Sequence, residues 1–305
     1  MRIVFMGSPD FAVPALCAIH QCFNLVGVVS QPDRPGGRGR KLRAPPIKTR
    51  SQELGVPIIQ PETLKNDAVF DQLASWEPDL IVVTAYGQIL PPNILTIGKD
   101  YAINVHASVL PRWRGAAPIQ AAIFMGDSET GITIMKMDAG MDTGPIISQR
   151  STPIQNDETG GELSERLSYL GADLLIETIP EYVAGNIVPT DQDDSLATYA
   201  PQLKKADGRL DFLQPADKLV RQVRAYEPWP TSYFYWGDLR CTVREAHASS
   251  RLAQPGLVVQ HDGFPAIGTE SGLIVLDLIQ PAGRKTMPAD AFVRGSPEFV
   301  DSNIA

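Results

Sequence analysis

Residues 80–84, Leu-Ile-Val-Val-Thr, and residues 102–105, Ala-Ile-Asn-Val, decide the fold class. Both are short, apolar and rich in β-branched side chains, with no polar alternation, which is the pattern of strands covered on both faces. Two earlier runs share it, residues 2–6 (RIVFM) and 25–30 (LVGVVS). Helical spacing occupies residues 14–19, 45–54 and 67–76 between them, and 117–125 and 161–184 beyond. The last carries Leu163, Leu167, Leu170, Leu174 and Leu175 at core spacing. Strands alternating with helices in this way predict an α/β domain on a parallel sheet.

The chain is 305 residues long, enough for about two domains. Residues 189–207, PTDQDDSLATYAPQLKKAD, lose periodicity and collect Asp, Pro, Ser and Thr, so they read as an exposed connection between residues 1–188 and residues 208–305. Beyond it one amphipathic helix (216–226) precedes short runs at 232–235, 241–245, 256–260, 265–268 and 273–278, a pattern that predicts a small β-barrel. The opening MRIVFMGSPDF reads as a strand and not a leader, and no run reaches the ~18 apolar residues of a membrane span. Cys17, Cys22 and Cys241 are an odd set without metal spacing, as in a reducing cytoplasm. A net charge of -8 excludes a uniformly basic coat for nucleic acid but leaves room for a local basic patch.

Such a patch lies at residues 32–48, PDRPGGRGRKLRAPPIK, where Arg34, Arg38, Arg40, Lys41, Arg43 and Lys48 face only Asp33. Glycine-rich and basic, it is a candidate clamp for a phosphate backbone. The turn Gly7-Ser8-Pro9-Asp10 after the first strand invites a nucleotide-binding reading, but neither a G-x-G-x-x-G nor a phosphate-loop motif is present, and Pro9 lacks a donor. Those absences also exclude a nicotinamide dehydrogenase. The richest stretch is residues 104–118, NVHASVLPRWRGAAP. Asn104 and His106 stand two apart at a strand end, so both side chains leave the same face at the sheet's carboxyl edge, where α/β proteins bind ligands. An amide that donates to an oxygen and an imidazole that moves a proton suit acyl transfer to an amine. The loop 137–144, MDAGMDTG, offers Asp138 or Asp142 to hold the imidazole, and the spacing does not select between them. No metal-ligand spacing accompanies them.

Together, Asn104-x-His106 with SVLPRWRGAAPIQ, MDTG at 141–144, AYGQILP at 85–91, the FMGSPDF opening and QPDRPGGRGRKL make the chain resemble the folate-dependent formyltransferase superfamily over essentially its whole length. The resemblance implies a Rossmann-like formyltransferase domain followed by an OB-like barrel. It implies formyl transfer from 10-formyltetrahydrofolate, without a metal, to the α-amino group of methionine on initiator tRNA, by a cytoplasmic monomer. Residue by residue, it makes Asn104, His106 and Asp142 catalytic, with Asp142 chosen over Asp138. It puts the folate against Tyr86, Gly87 and Ser108-Val109-Leu110-Pro111, where Val109 stands in place of the family's leucine. It lays Arg34, Arg38, Arg40, Lys41 and Arg43 on the tRNA acceptor end, and offers Lys204, Lys205, Arg221, Arg224, Arg240, Arg244, Arg284 and Lys285 as backbone contacts. The rivals are a formyltransferase acting on an amino-sugar nucleotide, a formyltetrahydrofolate hydrolase, and a non-catalytic RNA-binding protein.

Overall fold

The computed structural model describes residues 1–36, 41–99 and 102–304. Two compact units divide them, the first comprising Met1–Pro118, Thr130–Pro153 and Ser164–Ala200, the second Ile119–Glu129, Ile154–Leu163 and Pro201–Ala305.

The first unit is built on seven strands, β1 (Arg2–Gly7), β2 (Asn24–Val29), β3 (Ile58–Ile59), β4 (Leu80–Thr84), β5 (Ala102–His106), β6 (Glu129–Lys136) and β7 (Ile146–Pro153), in the order β7-β6-β5-β4-β1-β2-β3. The pairs β1–β2, β2–β3, β1–β4 and β4–β5 are parallel. Helices α1 (Val13–Cys22), α2 (Pro46–Glu53), α3 (Asp67–Ser75) and α4 (Pro92–Leu95) connect them; α5 (Pro118–Met125) falls in the second unit from Ile119 on, while α6 (Gly160–Val183) belongs to this unit from Ser164 on. Local chemistry sets the helix starts. Asn66 accepts from the Ala68 amide at 3.0 Å to cap α3, an interaction worth about 1 kcal/mol over alanine. Thr159 and Glu162 exchange hydrogen bonds across the first turn of α6 as a capping box. The strands hold together because both faces are covered: Ile3, Val4, Phe5 and Met6 are fully buried, each side chain contributing about 1.5–3 kcal/mol.

The strands the sequence pattern marks pair in parallel as expected, and the sheet becomes mixed only beyond them. β6 and β7 lie outside the expected strands, and β6 runs antiparallel to β5. β7 has polar residues at alternate exposed positions, the signature of a half-covered edge strand, so it lacks the continuous apolar run that marks β1, β2 and β4. The strand order doubles back at β1 and β4, and the carboxyl ends of the parallel strands share one edge. That switch point is where an open α/β sheet leaves a crevice.

Residues 190–200, part of the stretch read as an exposed connection, are tied into the first unit. Thr190 bridges Ile146, and Tyr199–Ala200 forms a short parallel ladder with Arg114–Gly115. Their polar composition serves hydrogen bonding to the unit and not solvation alone.

In the second unit β8 (Ser232–Trp236), β9 (Leu239–Ser249), β10 (Val258–His261), β11 (Phe264–Gly268), β12 (Leu273–Pro281) and β13 (Met287–Pro288) form an antiparallel sheet in the order β8-β9-β12-β11-β10, with β13 on β12. Helix α7 (Ala216–Ala225) packs Leu219 and Val223 against Phe234, Val243, Ile274 and Leu276, and α8 (Ala289–Gly295) adds Phe292. Cys241 lies in this core, its thiol pushed up to about 11 by burial, and acts as a small apolar side chain.

Candidate active site

β5 delivers Asn104 and His106 in a fixed register: Asn104 stands opposite Val83 of β4 and Met135 of β6, and His106 opposite Thr133. The loop after β6 delivers Asp142. The structure brings the three together. The Asp142 Oδ2 lies 3.6 Å from His106 Nδ1, and Asn104 Nδ2 lies 3.5 Å from Asp142 Oδ1. Asp138 turns back on its own loop instead, accepting from the Gly140 amide and the Thr143 hydroxyl, so the geometry separates the two aspartates that spacing alone leaves equal.

The tautomer of His106 follows from its other contact. Nε2 lies 2.9 Å from the Trp113 carbonyl oxygen, which can only accept, so Nε2 carries the hydrogen. In the neutral ring the basic nitrogen is then Nδ1, the one facing Asp142. The carboxylate has a fixed donor of its own: the Gly115 amide at 2.9 Å on Oδ2. Gly115 has φ +113, and a Cβ there would meet the Ala200 carbonyl oxygen at 2.6 Å, so only glycine allows this approach. Asp142 itself takes the left-handed region at φ +53, and the Gln192 amide donates to its carbonyl oxygen at 2.9 Å.

The turn 108–111 is rigid for internal reasons. Ser108 Oγ donates to the Arg112 carbonyl at 2.6 Å, the Thr133 hydroxyl donates to the Ser108 carbonyl at 2.7 Å and receives the Leu110 amide, and Gln149 donates to the Leu110 carbonyl at 2.8 Å. Leu110 is buried, while Val109 and Pro111 remain half-buried. At the switch point Ser8 Oγ and Gln31 Nε2 both donate to the Tyr86 carbonyl at 3.2 Å, joining the turns that follow β1, β2 and β4. Gly87 takes φ +86 in the exposed turn. The buried Tyr86 hydroxyl has no hydrogen-bond partner among the described residues, and burial pushes it up to about 12, so it stays a donor.

Of the basic loop, Arg34, Lys41 and Arg43 stand exposed on a two-stranded ladder, Arg34–Gly36 against Lys41–Arg43. Arg38 and Arg40 lie outside the described residues. Lys48 is bound to Asp33 at 2.7 Å, which holds that carboxyl below its usual range, so its charge is already matched. Among the basic residues of the second unit, Arg221 donates to the Phe124 carbonyl, Arg224 to the Glu158 carbonyl and Arg244 to Glu227, while Lys204, Lys205, Arg284 and Lys285 are exposed. Arg240 lies over the Tyr233 ring at 3.9 Å. Among the described residues no group of three His, Cys, Asp or Glu could hold a metal ion, and no helix is long and apolar enough to cross a membrane.

Four participants escape a reading of the sequence: the Trp113 carbonyl, the Gly115 amide, Gln192 and Arg114. Backbone groups leave no compositional mark, and Gln192 sits in a stretch without periodicity.

A mixed α/β unit with Asn, His and Asp converging at the carboxyl edge of its sheet, followed by an antiparallel unit, agrees with two family models that match in tandem: Formyl transferase over residues 1–179 and Formyl transferase, C-terminal domain over residues 202–297. The chain belongs to the formyl transferase family and is an enzyme of that class. It is similar over nearly its whole length to curated methionyl-tRNA formyltransferases, 43% identical over 296 residues to that of Myxococcus xanthus (96% of this chain, 95% of the relative) and 44% over 294 residues to that of Thermodesulfovibrio yellowstonii (96% and 95%). Its fold is similar to that of WlaRD, a sugar 3N-formyl transferase solved in the presence of dTDP and 5-N-formyl-THF, with a TM-score of 0.68 at 16% identity, covering 93% of this chain and 99% of that one.

Proposed function

We propose that this enzyme transfers the formyl group of 10-formyltetrahydrofolate to the α-amino group of methionyl initiator tRNA, with Asn104, His106 and Asp142 as its catalytic residues. The observation that carries the reading is the meeting of those three side chains at the carboxyl edge of β5. The relatives' name supplies the acceptor, and the family supplies the donor class.

In this reading the neutral amine attacks the formyl carbon, and the Asn104 Nδ2 donates to the oxygen that gains charge. At 3.5 Å from Asp142 that amide is only loosely engaged, which leaves it available to a ligand. His106 Nδ1 receives the amine proton, and the Asp142 carboxylate 3.6 Å away stabilises the imidazolium so formed. As the charged oxygen collapses back to a carbonyl, the bond from the formyl carbon to the donor nitrogen breaks and the proton passes from His106 to that leaving nitrogen. Donor binding falls to the 108–111 turn, whose half-buried Val109 and Pro111 offer a rigid apolar face to a flat ring, and to Tyr86 and Gly87, where an orphaned buried hydroxyl fits a polar group on that ring. The donor's own contribution is an activated formyl group.

Arg34, Arg38, Arg40, Lys41 and Arg43 supply the phosphate-binding face, and a second tRNA contact comes from Lys204 and Lys205 at the end of the connection and from Arg284 and Lys285 in residues 208–305. The protein works as a cytoplasmic monomer.

The test is transfer of labelled formyl to methionyl initiator tRNA, beside a control with donor and no tRNA. Product on the amine that is lost in Asp142→Ala supports the reading. Free formate without tRNA product would overturn it in favour of a hydrolase, and product only on small amines would redirect it to another acceptor.

A further inference from the structure

We propose that Gln192 is a positioning residue for Asp142, holding the 142–144 backbone so that the carboxylate stays against His106, and that the buried Arg114 fixes Gln192 in turn. The inference rests on the formyl-transfer reading of the site given above.

The case begins with hydrogen-bond valence. Gln192 Nε2 has two hydrogens and spends both on one short stretch of backbone, the carbonyl oxygens of Asp142 at 2.9 Å and Gly144 at 2.8 Å. Its Oε1 accepts twice from Arg114, from Nε at 3.0 Å and from Nη2 at 2.8 Å. The side-chain amide is therefore saturated, and its O and N are assigned without ambiguity: a guanidinium can only donate and a carbonyl can only accept.

Arg114 explains why the amide does not swing away. The residue is 1% exposed, and a buried guanidinium must keep its partners or bear an uncompensated charge. Its partners are Gln192, Asp194 at 2.7 Å and Tyr199. Burial acts to lower the Arg114 pKa, but the hydrogen bonds to Asp194 and Tyr199 outweigh it and leave the group above its ordinary range. A cation pulling on Oε1 also polarises the amide and strengthens its donation on the far side.

Asp142 needs such a hold. It sits at φ +53 in an exposed loop whose preceding residue, Met141, is 62% exposed. Asn104, Gly115 and His106 all meet its carboxylate, whereas Gln192 holds the peptide from which the side chain departs. Gln192 lies between the two family-matched stretches, 1–179 and 202–297, outside both.

The test compares wild type with Gln192→Glu, which keeps acceptors for Arg114 and loses both donors to the loop. Two quantities are read: kcat against donor KM in formyl transfer, and hydrogen exchange of the Gly115 amide, which reports on the bond to Asp142 Oδ2. A displacement of the carboxylate by a fraction of an ångström to 1 Å predicts a kcat loss of about 10- to 100-fold with donor KM within about twofold. The Gly115 amide should exchange about tenfold faster. Unchanged kcat with unchanged exchange would overturn the proposal, as would a rise in donor KM at constant kcat. Gln192→Met keeps the length without either donor and also removes the oxygen that accepts two hydrogen bonds from Arg114, so its losses should be at least as large, and it decides the matter if Gln192→Glu does not fold. The exchange measurement needs no substrate. Should wild type transfer no formyl group, the functional reading falls, and Gly115 exchange still decides whether Gln192 holds Asp142.

Discussion

Asn104 and His106 reach the site on a strand, Asp142 on a loop, and the two routes lean on different parts of the chain. β5 is registered on both sides, by β4 and by β6, and its other residues are buried in the sheet's core. Once the sheet forms, the two side chains have no choice of face. The loop that carries Asp142 has no ladder of its own at that point. Its geometry is set by the Gly115 amide, by Asn104 and by Gln192, contributed from sequence positions 27, 38 and 50 residues away. A strand positions by repetition, whereas a loop positions by particular partners, so single substitutions far from the chemistry should disturb the second half of the site and spare the first.

The largest effect should come from the strand-borne half itself. His106→Ala removes the proton acceptor and should lower kcat by about 10²- to 10⁴-fold, and Asn104→Ala by about 10²- to 10³-fold. Single-turnover formyl transfer measures both, with donor binding followed separately and expected to change little. Equal turnover in these variants and wild type would remove the strand from the mechanism. Next comes Gly115→Ala, which forces a Cβ to 2.6 Å from the Ala200 carbonyl at a φ that alanine avoids. It should cost about 1–3 kcal/mol of stability and reduce kcat through Asp142, with His106 still bonded to Trp113. Thermal melting and the kcat to KM split report the two consequences; a variant with wild-type values for both would show that the loop needs no glycine brace.

Smaller effects sharpen the contrast outside the site. Removing Arg34, Lys41 or Arg43 should flatten the salt dependence of tRNA binding by about one unit of slope each, while Lys48→Ala does less because Asp33 already pairs with that charge. Titration of tRNA affinity across salt concentrations distinguishes them. The smallest effect lies at the amino end of the sheet, where the hydrogen bonds from Lys99 and the Arg2 amide hold the Asp79 carboxyl below the ordinary carboxylate range. A depressed carboxylate pKa contributes stability that is complete above the unfolded value and is lost as the pH falls through the folded one. Asp79→Asn should therefore lose a little stability near neutrality and show a shallower loss below about pH 4 in urea midpoints.

The same division governs what the sequence reveals. Apolar runs mark β1, β2, β4 and β5, and a spacing of two puts Asn104 and His106 on one face, because a strand writes its geometry into its pattern. The amphipathic face of α7, with Leu219 and Val223, is equally plain. β7 is not, since an edge strand with alternate polar residues looks like loop. Choosing Asp142 over Asp138 takes either family resemblance or coordinates, because loop geometry depends on Gly115 and Gln192. Residues 190–200 conceal most: they are largely exposed, as Asp, Gln and Thr suggest, but the buried guanidinium of Arg114 that Gln192 and Asp194 serve is invisible until the chain is folded.

The pairing of Tyr199–Ala200 with Arg114–Gly115 also sets a clock on maturation. On a ribosome the strand bearing Asn104 and His106 emerges earlier, but the residues that seat Gly115 and brace Asp142 are among the last of the first unit to be made. At about 5–20 residues per second, Ala200 follows Asp142 by about 3–12 s. For that interval a nascent chain carries Asn104 and His106 while Asp142 still waits for its support, which arrives only with the stretch that looked like a spacer.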